Sequence, residues 1–167
     1  GQSTICLQEL PDGNLIGGTS TEAPGGGHPT AKEAVLYAYD WQAGKVLYQV
    51  SPVPGAADIV SLAVGADGRV YGVASGPRLF VFDPAKREVV YTTDLSAFGG
   101  APRNSLQRQP DGQLYALLSR ALVRIDPQAL TVTKLADLPV AATAGMAVLA
   151  GRLYYACGAE LWSYRLP

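Results

Sequence analysis

The sequence predicts an all-β protein built from one unit repeated four times, and three observations predict it. Four short apolar runs end alike: Leu36-Tyr-Ala-Tyr-Asp40, Leu79-Phe-Val-Phe-Asp83, Leu122-Val-Arg-Ile-Asp126 and Leu161-Trp-Ser-Tyr-Arg165. The aspartates recur at a constant 43-residue step, and the fourth run comes early and has lost its acid. A second marker precedes each run: Pro11-Asp12-Gly13-Asn-Leu15, Ala66-Asp67-Gly68-Arg-Val70, Pro110-Asp111-Gly112-Gln-Leu114 and the shorter Ala150-Gly151-Arg-Leu153. Two markers in the same order, four times, are an internal repeat. No segment carries helical periodicity of useful length.

Each unit reads as four antiparallel strands. An apolar run such as Ile59-Val-Ser-Leu-Ala-Val64 leads into Asp-Gly, the pair favoured in a type I′ hairpin because glycine accepts a positive φ. Val70-Tyr-Gly-Val-Ala74 follows, then a loop and the run ending at Asp83. Asp83-Pro84 and Asp126-Pro127 suit a turn in which the carboxylate caps and proline presets φ. An alternating strand such as Glu88-Val-Val-Tyr-Thr-Thr93 or Leu130-Thr-Val-Thr-Lys-Leu135 completes the unit.

A four-stranded unit recurring every 40–45 residues is a β-propeller blade. A β-sandwich needs no fixed period. With strands named a to d from the channel outward, the blades span about 4–50, 59–94, 104–136 and 145–166 of a single domain, 1–167. The last lacks its outermost strand, and Gly1-Gln-Ser-Thr4 is too short to supply it. Three closures are open: one half of a seven- or eight-bladed ring, a head-to-tail homodimer making eight blades, or a lone four-bladed disc. An unclosed fan leaves inner faces and sheet edges bare.

The stretch Gly65-Ala-Asp-Gly-Arg-Val-Tyr-Gly-Val-Ala-Ser-Gly-Pro-Arg-Leu-Phe-Val-Phe-Asp-Pro84, like Pro11-Asp-Gly-Asn-Leu-Ile-Gly-Gly-Thr-Ser20, resembles the blade consensus of bacterial YVTN-, NHL- and kelch-like propellers. The resemblance covers the chain but reaches only its architecture. It implies a bacterial protein in a secreted or periplasmic setting, and either an interaction scaffold, an accessory module of a larger protein, or part of a carbohydrate-active hydrolase or lyase. No catalytic signature of such families matches residue by residue, and fold does not imply function.

Composition narrows the classes further. Thirteen basic residues against 14 acidic ones give a net charge of −1, without the basic face that nucleic acid requires. At 48% hydrophobic residues the chain is not a charged disordered polymer, and no run approaches a membrane span. Glycine (19) and proline (12) are abundant, as a turn-rich protein needs. Two cysteines, Cys6 and Cys157, are too few for a disulfide framework or a zinc site and read as small buried hydrophobes. In a head-to-tail ring Cys157 would come closer to Cys6 of the neighbouring copy.

Departures from the repeat mark where function would sit. The loop between strands b and c of blade one is long, Gly17 to Glu33, whereas its counterparts are only Ser75-Gly-Pro77 and Ser119-Arg120. It carries His28, the chain's one histidine, with Glu22, Lys32 and Glu33. Asp58, Arg103, Asn104 and Asp137 fall in blade connections at the same end, the usual ligand face of a propeller. Glu22, His28, Lys32, Glu33, Asp58, Arg103 and Asn104 are therefore the candidate ligand-binding residues, for a small polar or carbohydrate ligand; the bland alternative is a glycine-rich insertion making blade contacts. No catalytic, metal or cofactor site is expected: one histidine with scattered carboxylates makes neither a relay nor a ligand set, and Gly25-Gly26-Gly27 lacks the phosphate-loop spacing. A paired-carboxylate enzyme would need Glu22 or Glu33 to face Asp58 across a cleft. Tyr37, Tyr39, Phe80, Phe82, Trp162 and Tyr164 occupy matching positions and are expected between blades. Trp41, standing where other units have Pro84 and Pro127, is expected at the surface. The sequence thus favours a non-catalytic binding module.

Overall fold

The computed structural model describes residues 2–22 and 28–166. Four antiparallel sheets follow one another along the chain. The first holds β1 (Ser3–Glu9), β2 (Leu15–Ser20), β3 (Leu36–Asp40) and β4 (Lys45–Val50). The second holds β5 (Ile59–Val64), β6 (Val70–Ala74), β7 (Arg78–Asp83) and β8 (Glu88–Asp94). The third holds β9 (Leu106–Arg108), β10 (Leu114–Leu117), β11 (Ala121–Asp126) and β12 (Thr131–Asp137). The fourth has three strands, β13 (Ala144–Leu149), β14 (Arg152–Cys157) and β15 (Glu160–Arg165). Each sheet is a meander. The all-β expectation of about four blades, the last without its outermost strand, is met.

The turns differ from expectation in one respect. In the first three a–b hairpins only the glycine has positive φ: Gly13 (81°), Gly68 (77°) and Gly112 (88°). The Gly13 amide bonds to the Leu10 carbonyl at 2.9 Å, and the Leu10 amide to the Asn14 carbonyl at 2.8 Å. This is a three-residue loop, a type I turn followed by a left-handed glycine, rather than type I′. Pro11 and Pro110 favour it, because proline presets the first central position of a type I turn; blade two forms the same loop with Ala66 there, the Gly68 amide bonding to the Gly65 carbonyl at 3.1 Å. Asp12 Oδ1 then accepts the Asn14 amide at 3.0 Å, and Asp67 and Asp111 repeat the bond. The type I′ pair occurs in blade four, where the marker is one residue shorter and Ala150 (φ 50°) and Gly151 (φ 71°) both turn left-handed. The c–d turns are as expected: Asp40, Asp83 and Asp126 cap the amides two or three residues on, at 2.8–3.2 Å.

Alternation along each strand gives every blade one face toward the preceding blade and one toward the following blade. Three apolar clusters fill the three seams. Ile16, Leu36 and Ala38 of blade one pack on Leu62, Val70, Phe80 and Phe82 of blade two. Tyr71, Leu79 and Val81 then meet Leu106, Leu114, Val123 and Ile125 of blade three. Finally Tyr115, Leu117 and Leu122 meet Leu153, Tyr155 and Cys157 of blade four, with Trp162 and Tyr164 alongside. Burying each large apolar side chain stabilises by about 1.5–3 kcal/mol, so the seams hold the blades together. The inner strands touch in succession, β1 with β5, β5 with β9 and β9 with β13, and no comparable contact joins β13 back to β1.

Phe80, Phe82, Trp162 and Tyr164 lie between blades as expected, but Tyr37 and Tyr39 do not. They are half-buried on the face of blade one against which no other described blade packs. Trp41 is exposed, as expected. Both cysteines are free; Cys6 packs against the first seam and Cys157 is buried in the third.

Candidate functional site

The long b–c loop, the short b–c loops and the blade connections all lie at one end of the fan, and three serines at one repeat position tie them together. Ser75 and Asp58 exchange bonds: the Asp58 amide donates to Ser75 Oγ at 3.0 Å and the Ser75 amide to the Asp58 carbonyl at 2.8 Å. Ser119 and Gly100 repeat the exchange one blade later, at 2.9 and 2.7 Å. In blade one the equivalent Ser20 forms a backbone bridge with Asp58 and donates its hydroxyl to Asp58 Oδ1. Ser20 Oγ in turn accepts the Glu22 amide at 3.0 Å. A small hydroxyl at the end of strand b thus fixes the connections at Asp58 and Gly100.

On this frame the Arg103 guanidinium, from the connection between blades two and three, donates to Glu22 Oε2 at 3.2 Å. Both side chains are exposed. Glu22, Asp58 and Arg103, distant in sequence, therefore form one polar line over the first three blades.

The other candidate residues stand apart from that line. Glu33 fastens the loop's far end: its Oε2 accepts the Gly55 amide at 2.8 Å and its carbonyl the Gln2 side-chain amide at 2.6 Å. Asn104 sits at a seam, in a left-handed conformation (φ 56°). Its amide donates to Val60 and its carbonyl accepts from Met146, each at 3.2 Å. Asp137 pairs with Lys134 at 2.9 Å. His28 and Lys32 are exposed and make no hydrogen bond or ion pair among the described residues. The triple glycine falls within residues 23–27, which lie outside the described residues.

The arrangement holds its carboxylates apart. Glu22 faces Arg103, Asp58 faces Ser20, and Glu33 faces a backbone amide. Among the described residues no group of three His, Cys, Asp or Glu side chains is placed to hold a metal. A groove of about 700 Å³ lies elsewhere, at the a–b-turn end of the inner strands. Gln8, Glu9, Gln107 and Arg108 line it, and the buried Gln107 Oε1 has no hydrogen-bond partner among the described residues.

The serines escaped sequence reasoning, which looked for charge. Their signal was present: Ser75 and Ser119 open the two short loops, and Ser20 holds the same place in blade one.

No protein-family model matches the sequence, and no curated protein matches it. Solved structures do. The chain is similar to the WD40 repeats of RRP9, with a TM-score of 0.70 and 15% identity over 99% of this chain and 49% of that one. A chain of the mitotic checkpoint complex matches with a TM-score of 0.72 and 16% identity, over 98% of this chain and 49% of that one. The extracellular domain of the putative hybrid two-component system BT3049 from B. thetaiotaomicron matches at 0.68 and 13%, over 98% of this chain and 22% of that one. The chain spans about half the length of the WD40 structure it matches. These likenesses concern the fold, and with the four sheets above they make the chain a partial β-propeller of about four blades.

Proposed function

We propose that the protein is a non-catalytic interaction module, an accessory part of a larger bacterial assembly, that presents the loop-bearing end of its channel to a polar segment of a partner protein. The observation that carries this reading is the Glu22–Arg103 pair. Two exposed, opposite charges from different blades are held 3.2 Å apart on the frame of Ser20, Ser75 and Asp58. An exposed pair contributes only about 0–1 kcal/mol to stability. Either group can therefore turn to a partner's charge at small cost, while the frame keeps its place. His28 and Lys32, exposed on the same loop, widen the polar surface. A match to a chain of the mitotic checkpoint complex is in keeping with a protein partner.

Binding of defined peptides and oligosaccharides to the immobilised chain tests this. A charged peptide should bind, and Arg103→Ala should weaken it by roughly 10-fold or more without moving the urea midpoint. Release of reducing sugar from an oligosaccharide, or binding indifferent to both Arg103→Ala and Glu22→Ala, would overturn it.

A further inference from the structure

The two end faces of the fan carry residues whose counterparts inside the chain lie buried in blade seams. On the forward side, Leu161 of blade four holds the repeat position of Leu36, Leu79 and Leu122. Those three are fully buried, each against the next blade, whereas Leu161 is 75% exposed. On the backward side, Leu7 of blade one matches Leu62 and Leu106, which are 2% and 5% exposed in their seams, yet Leu7 is 50% exposed. Val46 pairs with Tyr39 as Val89 pairs with Phe82. Val89 packs into a seam, and Val46 is 54% exposed. Each end thus displays the residues that, three times within this chain, meet their complements across a seam.

Charge gives the ends a direction. Arg152 and Arg165 face each other across β14 and β15, on the bare forward face. Like charges directly opposite are destabilising in a sheet, and Arg165 stands where the other blades carry aspartate. Glu9 lies on the bare backward face of blade one, at the same a–b-turn end, opposite Leu15. Among the described residues neither Glu9 nor Arg165 has an ion-pair partner. Stacked head to tail, a backward face brings a carboxylate to the place where a forward face carries two guanidinium groups.

We propose that a second copy of this chain covers both ends: two fans join head to tail into an eight-bladed ring, with Glu9 of each against Arg152 and Arg165 of the other. A head-to-tail contact forms a closed ring when its rotation closes. The ring needs no disulfide. Cys6 and Cys157 point into the first and third seams, away from the joining faces.

Light scattering of the 167-residue chain at a low and a high concentration tests this. The expected mass is near twice 17.5 kDa at both. Leu161→Glu and Leu7→Glu, each at an exposed site, should each give a monomer with an unchanged circular dichroism spectrum. Mixing the two should restore a dimer, because one intact seam then forms between unlike variants. Glu9→Arg should also dissociate the ring, and adding Arg152→Glu with Arg165→Glu in the same chain should restore it. Native chain that stays at 17.5 kDa would overturn the proposal, leaving blades of another polypeptide as the cover. So would a mass that grows without limit, or a dimer that survives either leucine substitution.

Discussion

The ring of Phe80 lies over Gly72 across the β6–β7 pair, so closely that Gly72 has no room for a β-carbon. Phe80 is fully buried in the first seam and cannot retreat. Gly72→Ala should therefore destabilise the protein by about 1–3 kcal/mol, the usual range for overpacking. Gly17 and Tyr37 repeat the arrangement in blade one. Tyr37 lies on an end face, where its ring can swing outward. In the monomeric Leu7→Glu background Gly17→Ala should cost clearly less than Gly72→Ala. Urea titrations of the two variants check the order.

Blade four turns at Ala150-Gly151, with alanine in the left-handed region at φ 50°. A side chain there costs roughly 1–2 kcal/mol per residue, and asparagine tolerates it best. Asn-Gly is also a favoured type I′ pair. Ala150→Asn, at an exposed site, should stabilise by up to about 1 kcal/mol. A raised midpoint of thermal unfolding would show it. The same substitution at Pro11 should destabilise, because that loop is type I and proline already presets its φ.

Alkaline pH should unfold the protein through its buried and half-buried acids. Burial pushes the Cys6 thiol from its ordinary 9.0 up to about 12. Burial, then the hydrogen bond to Asp67 at 2.9 Å, raises the Tyr71 phenol as well. A group whose folded pKa is raised holds its proton in the folded state after the unfolded chain has released it. Its contribution is complete below the unfolded value and is lost as pH rises toward the folded one. Each such group adds up to about 1.4 kcal/mol per pH unit to the loss. The urea midpoint should fall from about pH 9 upward. Cys6→Ala should flatten the first part of that fall. A midpoint level to pH 11 would contradict it.

Removal of residues 23–29 tests whether the long loop serves binding or folding. Both of its flanks are fixed: the Thr21 amide bonds to Ala57 at 2.9 Å and the Ala34 amide to Ala56 at 2.7 Å. The shortened chain should keep its urea midpoint within about 1 kcal/mol of stability. Binding of a charged peptide should be lost or strongly weakened. Loss of folding would instead give the loop a structural role.

The repeat made the fold legible because each blade reuses the same local chemistry. Aspartates that cap turns, and aromatic residues alternating with aliphatic ones, announced strands, turns and their order. Asp-Gly alone points to a two-residue turn, whereas the residue before it, proline in blades one and three and alanine in blade two, belongs to the loop and makes it one residue longer. Tyr37 and Tyr39 were misplaced because sequence shows which face a residue occupies but not whether a neighbour covers it. In the candidate site, charge led to Glu22, Asp58 and Arg103 but also to Glu33 and Asn104, which fasten backbone. The hydroxyls of Ser20, Ser75 and Ser119 carry that frame, and serine is too common in loops to stand out without the repeat alignment.

In the ring, the pairing of faces inside the chain continues across its ends. The most direct measurement couples Glu9 to position 152. Heavy-nitrogen-labelled and unlabelled copies of the Arg152→Lys variant are mixed and treated with a zero-length carbodiimide, and the joined peptides are identified by mass spectrometry. The ring should yield a joined pair with Glu9 from one isotopic copy and position 152 from the other. Glu9 found joined only within its own copy, or to no amine at all, would contradict it.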